Sequence, residues 1–110
     1  MVDMSYDPEN DSMYISISSR KAYLTVEFSE RIALDVTNSK IPVGVEILEA
    51  SKFISDLFGK SVSKDRIKSM LCSVTQKDAI YLDFEMRGAR RESARFAIPV
   101  PYNSPIVAAV

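Results

Sequence analysis

Two hydrophobic periods run through this chain, and the order in which they occur limits the fold more than any other feature. From Met13 to Ile47 apolar side chains recur at every second position: Met13, Ile15, Ile17; Leu24, Val26, Phe28; Ile32, Leu34, Val36; Ile41, Val43, Val45, Ile47. A period of two puts these residues on one face of extended chain. The segments Ser19-Arg-Lys21, Ser29-Glu-Arg31 and Thr37-Asn-Ser-Lys40 between them are short and polar. Strands joined by such turns predict an antiparallel β-meander with one apolar face. The preceding run, Asp7-Pro-Glu-Asn-Asp-Ser12, reads as a turn.

The period then changes. In Glu49–Phe58 the apolar residues are Ala50, Phe53, Ile54, Leu57 and Phe58, a stripe at helical spacing. Gly59 suits the left-handed residue that ends a helix. This helix is expected to cover the apolar face of the meander. A second, shorter helix is signalled by Ser63 as N-cap, a Val62–Ile67 staple and Asp65 in the first turn, with Ile67, Met70 and Leu71 as its buried side. The period of two returns at Ile80, Leu82, Phe84 and Met86. After a loop over Gly88–Glu92 it continues at Ala94, Phe96, Ile98 and Val100. Pro99 and Pro101 lack ladder donors, so the last strand should lie at a sheet edge. The expected fold class is α+β: an antiparallel β-meander covered by a helix, a second short helix, then a C-terminal β-hairpin. Residues 1–110 form one domain, with 6–55 the meander and the start of the helix and 56–110 the extension.

Composition removes several chemistries. The chain has no histidine and one cysteine, Cys72. Ser-His-Asp and Cys-His triads cannot be assembled, cysteine-pair zinc sites are excluded, and no internal disulfide can form. Catalytic, cofactor-binding and metal-binding residues are therefore none, and no cofactor is expected. Met1 to Asn10 is acidic and polar, unlike a secretory signal, and no apolar run approaches a membrane span. The expected location is the cytoplasm, with no membrane association.

The net charge of −1 is unevenly spread: residues 1–55 sum to −4 and 56–110 to +3. Such a dipolar molecule could turn its basic end to an acidic partner. Asp11–Arg20 and Asp78–Arg87 also echo one another, sharing Asp, Tyr and Arg at corresponding positions.

Tyr6-Asp-Pro-Glu-Asn-Asp-Ser-Met-Tyr-Ile15, Ile32-Ala-Leu-Asp-Val36 and Val43-Gly-Val-Glu-Ile-Leu-Glu-Ala-Ser51 together resemble the bacterial and archaeal domain-of-unknown-function family 2283. The resemblance covers about residues 6 to 55, and the Val-Gly-Val-Glu-Ile-Leu block is its most specific part. The family pattern has Asp and Gly in the turn where this chain has Asn38-Ser-Lys40. The resemblance implies a small β-meander followed by a helix, and no established activity. Relatives are sometimes encoded beside small toxin-like proteins, so it also makes an antitoxin-like role an expectation. It marks Asp7, Asp35, Gly44 and Glu46 as pattern residues of unknown role.

Each candidate site has a plain structural reading beside it. Asp7, Glu9 and Asp11 have the spacing that opens a calcium loop, but Ser12 and Ser18 stand where glycine and a carboxylate are needed, so a polar turn is expected. Asp35 and Glu46, on the polar faces of strands, could act as paired carboxylates in a small-molecule enzyme; solvated side chains are the expectation. Gly44 reads as a kink or a place of close approach. Arg87, Arg90, Arg91 and Arg95 surround one loop and could hold phosphate, but Asp83, Glu85 and Glu92 stand ready to pair with them. Cys72 is expected at a helix end as a small buried hydrophobe. Tyr81, Tyr102 and the tail 105–110 offer an association surface.

These readings point to a non-enzymatic binding or interaction protein, self-associating as a homodimer. The second expectation is a regulator that meets a small protein partner or nucleic acid through the basic loop. A sequence pI of 5.4 argues against nucleic acid.

Overall fold

The computed structural model describes residues 3–88 and 90–99; Val100, Pro101, Tyr102 and the tail 105–110 lie outside that range. The alternating segments form two antiparallel sheets. The larger holds β1 (Asp3–Asp7), β2 (Ser12–Ser16), β3 (Leu24–Glu27), β4 (Ile32–Val36) and β5 (Pro42–Ile47), in the order β1-β2-β5-β4-β3. The smaller holds β6 (Leu71–Gln76), β7 (Ala79–Met86) and β8 (Glu92–Pro99), in chain order. Between them in sequence lie α1 (Ala50–Phe58) and α2 (Lys64–Lys68).

The expected α+β class and meander are present, and the meander itself is β3-β4-β5. The β1–β2 hairpin joins it at β5, with Ile15 opposite Val45 and Tyr14 opposite Glu46. The chain leaving β2 crosses the end of β5, where Ile17 N and Ser18 N donate to Val43 O, and enters β3 with Tyr23 N donating to Val36 O. A register shift between Asp35 and Val36 sets Pro42 opposite Val36. Beside this bulge Pro42 is buried along with Val43, although strict alternation would turn one of two neighbours outward.

Two strands were not foreseen. β1 lies in the stretch read as polar lead-in and turn; its apolar residues, Met4 and Tyr6, are only half-buried. β6 begins where the second helix was expected to continue. α2 ends at Lys68, Met70 is buried, and Leu71 is 43% exposed on the outer face of β6. Cys72 accordingly sits on a strand, packed against the core and half-buried.

One core unites both sheets. Met13, Ile15, Leu34, Val36, Val45 and Ile47 from the larger sheet meet Ile80, Leu82, Phe84, Met86 and Ile98 from the smaller. α1, expected as the roof of the meander, packs most closely against β8 of the smaller sheet instead. Its Ile54 is fully buried, and its Phe53 packs edge-on against both Phe84 and Phe96, with ring centroids 6.1 and 5.0 Å apart. Burying one such aromatic ring contributes roughly 2–3 kcal/mol. Gly59 ends α1 at φ 71°, and Ser63 Oγ accepts from Arg66 N to cap α2. Among the described residues no helix is long and apolar enough to cross a membrane.

Candidate functional site

The pattern residues other than Glu46 gather into two hydrogen-bonded constructions. The first ties the β1–β2 turn to α1. Glu49, at the N-cap position of α1, is left-handed at φ 49° and gives no side-chain cap. Asp11, also left-handed at φ 52°, supplies the cap from forty residues away in sequence. Its backbone oxygen accepts from Ala50 N at 2.9 Å, and its carboxylate accepts from Ser51 N at 3.0 Å and Ser51 Oγ at 2.6 Å. Tyr6 OH donates to the same carboxylate at 2.7 Å. Burial pushes the Asp11 carboxyl up, but the bonds from Ser51 and Tyr6 and the charge of Lys64 outweigh it, and the group is held below its ordinary range. Burial, with the bond to Asp11 and its charge, pushes the Tyr6 phenol up. Asp7 closes the adjoining turn: its carboxylate accepts from Glu9 N, Asn10 N and Asn10 Nδ2. The bonds from Asn10 hold the Asp7 carboxyl low. The carboxylates of Asp7 and Asp11 are thus engaged with turn and helix respectively.

The second construction lies on the outer face of the larger sheet. Tyr14 on β2 reaches across β5 to Asp35 on β4, a span of two strands or roughly 9–10 Å. Its hydroxyl donates to Asp35 Oδ2 at 2.9 Å, and Thr25 Oγ1 on β3 donates to Asp35 Oδ1 at 2.7 Å. The ring passes over Gly44, which pairs with Ser16 on one side and Asp35 on the other. A Cβ at Gly44 would overlap Tyr14 Oη and Cζ, so the glycine is the groove in which the ring lies. Burial comes first, then the Asp35 hydrogen bond and the charges of Asp35 and Glu46, in pushing the Tyr14 phenol up to about 12. Glu46 itself is exposed and edges a shallow depression of about 160 Å³ lined by Thr25, Glu27, Arg31, Ala33 and Leu48. Asp35 and Glu46 are therefore drawn into different surroundings rather than set as a free pair.

The arginine cluster is divided. Arg95 closes its fork on Asp83 at 2.7 and 3.2 Å and lies over the Tyr81 ring at 4.9 Å. Tyr81 OH donates to Asp78. Asp78 thus serves a local bond while its counterpart in the internal echo, Asp11, caps a helix. Arg91 approaches Glu85 at 3.6 Å. Arg87 and Arg90 are exposed and make no ion pair among the described residues. Burial, then the charge of Asp83, pushes the Cys72 thiol up to about 12, the reverse of what activates a thiol.

Sequence reasoning missed one further feature, a groove between the β3–β4 turn, α1 and β8. Arg31, Phe53, Asp56, Leu57 and Phe96 line its deeper part, about 230 Å³ in volume. Arg31 pins the turn to the helix through Glu49 at 3.1 Å and Asp56 at 3.5 Å. No sequence signal joins these three segments, because they meet only when both sheets close on α1.

A five-stranded and a three-stranded antiparallel sheet sharing one core and one wedged helix define the α+β class of this protein. Within it, residues 3–51 match the family described as Protein of unknown function (DUF2283). Both hydrogen-bonded constructions fall inside that span, which closes at Ser51, the residue that Asp11 caps. No curated protein and no solved structure matches the chain.

Proposed function

We propose that this chain is a non-enzymatic interaction module that pairs with a second copy of itself across the groove between α1 and β8. The observation that carries this reading is the unequal closure of the core. On one side β6 lies alongside β1. On the other, Phe53 floors an open groove, and Leu57 and Phe96 beside it are only half-buried. Leu24 and Val26 on β3 are likewise half-buried against the core, and among the described residues β3 and β8 each have a strand neighbour on one side alone. Half-covered core side chains next to edge strands are what a partner surface completes.

The ionisable groups support a binding role over a catalytic one. Every resolved shift among the described groups moves away from neutrality: Tyr6, Tyr14, Tyr81, Cys72 and Arg95 upward, Asp7, Asp11 and Glu92 downward. A general acid or base is tuned toward working pH instead. Acid–base work by Asp35 and Glu46 draws less support, since both Asp35 oxygens already accept hydrogen bonds.

Light scattering coupled to size exclusion tests the reading. The protein at high micromolar concentration should run as a dimer. Leu57→Lys and Phe96→Ser should each run as monomers with unchanged circular dichroism. A monomeric wild-type protein at that concentration refutes the pairing.

A further inference from the structure

We propose that the end of the molecule formed by the α1–α2 connection, α2 and the β7–β8 turn is a docking surface for an acidic segment of a partner protein. Seven of the fourteen basic side chains lie in residues 60–68 and 87–92, against two of the fifteen acidic ones. These two short stretches carry +5, and the remainder of the chain carries −6.

The fold brings the two stretches together. Lys60 Nζ lies 2.6 Å from both carboxylate oxygens of Glu92, and Arg66 Nη2 lies 3.6 Å from Glu92 Oε2. Gly88 abuts Arg66 as well, for a Cβ placed there would stand 3.6 Å from Arg66 Nη2. Lys64, whose Nζ donates to Pro8 O, and Lys68 flank the patch on α2. One internal carboxylate therefore holds Lys60 and Arg66 in place. Arg87 and Arg90 stay exposed, and Arg91, 81% exposed, has among the described residues a single distant partner in Glu85. Arg95 does not belong to this surface, because its fork is closed on Asp83.

The chemistry of the occupant follows from what surrounds these cations. Exposed guanidinium forks bind carboxylates in pairs of parallel hydrogen bonds. Neither stretch contains an aromatic residue on which bases could stack. A long polyanion would also run beyond the patch onto a body of net charge −6. A short carboxylate-rich segment meets only the basic end. This surface is separate from the groove used for self-association, so either can fail alone.

Fluorescence anisotropy with a labelled oligoglutamate peptide, and with a labelled oligothymidylate of equal charge, tests the proposal. The peptide should bind at low salt and bind more tightly than the oligonucleotide. The double substitution Arg87→Glu with Arg90→Glu should weaken peptide binding about tenfold or more, as loss of exposed steering charges does. Both side chains are exposed, so the fold should persist, as circular dichroism would verify. Arg95→Gln should leave peptide affinity unchanged. Tighter binding of the oligonucleotide would overturn the assignment in favour of a nucleic-acid surface. Equal peptide binding by the charge-reversed protein, or none by the wild type, would overturn it outright.

Discussion

The two sheets hold their outer faces together by different physics. On the larger sheet a half-buried hydroxyl, Tyr14, crosses an intervening strand to a carboxylate that Thr25 also engages. On the smaller sheet the links are ion pairs between more exposed side chains, Arg95–Asp83 across β7 and β8 and Arg91–Glu85 from the turn to β7. A lacing that depends on fit tolerates no added atom and little salt dependence is expected of it. Exposed ion pairs tolerate substitution and weaken as salt screens them. The contrast coincides with the reach of the family match, which covers the fitted half and stops before the ion-paired one.

The largest expected effect therefore lies at Gly44. Gly44→Val should cost about 2–3 kcal/mol in urea unfolding, because the new side chain displaces the Tyr14 ring. In a Tyr14→Ala background the same substitution should cost less than half as much. Equal costs in both backgrounds would show that the ring is not what the glycine accommodates.

Next comes Asp11→Ala, which removes the cap of α1 and should cost about 2 kcal/mol. It should also change the pH profile. A carboxyl held low in the fold contributes stability that is complete above its ordinary pKa of 3.8 and is lost as pH falls through the lower folded value. Acid unfolding of the wild type should therefore steepen below about pH 4, and the variant should show a shallower dependence there. An unaltered profile would remove Asp11 from that role.

A smaller gain is expected from Lys40→Gly. Lys40 adopts φ 65° in the turn where the family pattern has glycine. Relieving that conformation should stabilise the protein by about 0.5–1 kcal/mol. The least effect is expected for Arg95→Gln, whose urea midpoint at physiological salt should fall within error of the wild type. A large loss there would erase the distinction between the two faces.

Much of the larger sheet was legible because its strands alternate cleanly and bury one face: Ile15, Leu34, Val36, Val45 and Ile47 all read correctly as core. β6 was not, since Leu71 points outward while Cys72 and Val74 are only half-buried, so its pattern carries little contrast. β1 was hidden for a similar reason, its apolar positions being few and its flanks acidic. At the candidate sites, Gly44 announced a close approach without naming Tyr14 as what approaches. The arginines announced a basic loop without separating Arg95 from Arg87 and Arg90.

Local spacing alone determined the α+β class, the helix over Ala50–Phe58, the left-handed stop at Gly59 and the cap at Ser63. These depend on neighbours a few residues apart, and the chain carries them wherever it folds. Strand order, the Asp11 cap on a distant helix, the Tyr14 crossing and the union of Lys60 and Arg66 with the β7–β8 turn were decided only by tertiary structure. Each requires residues far apart in sequence to meet with defined geometry, and periodicity specifies which face a side chain takes, not what it finds there.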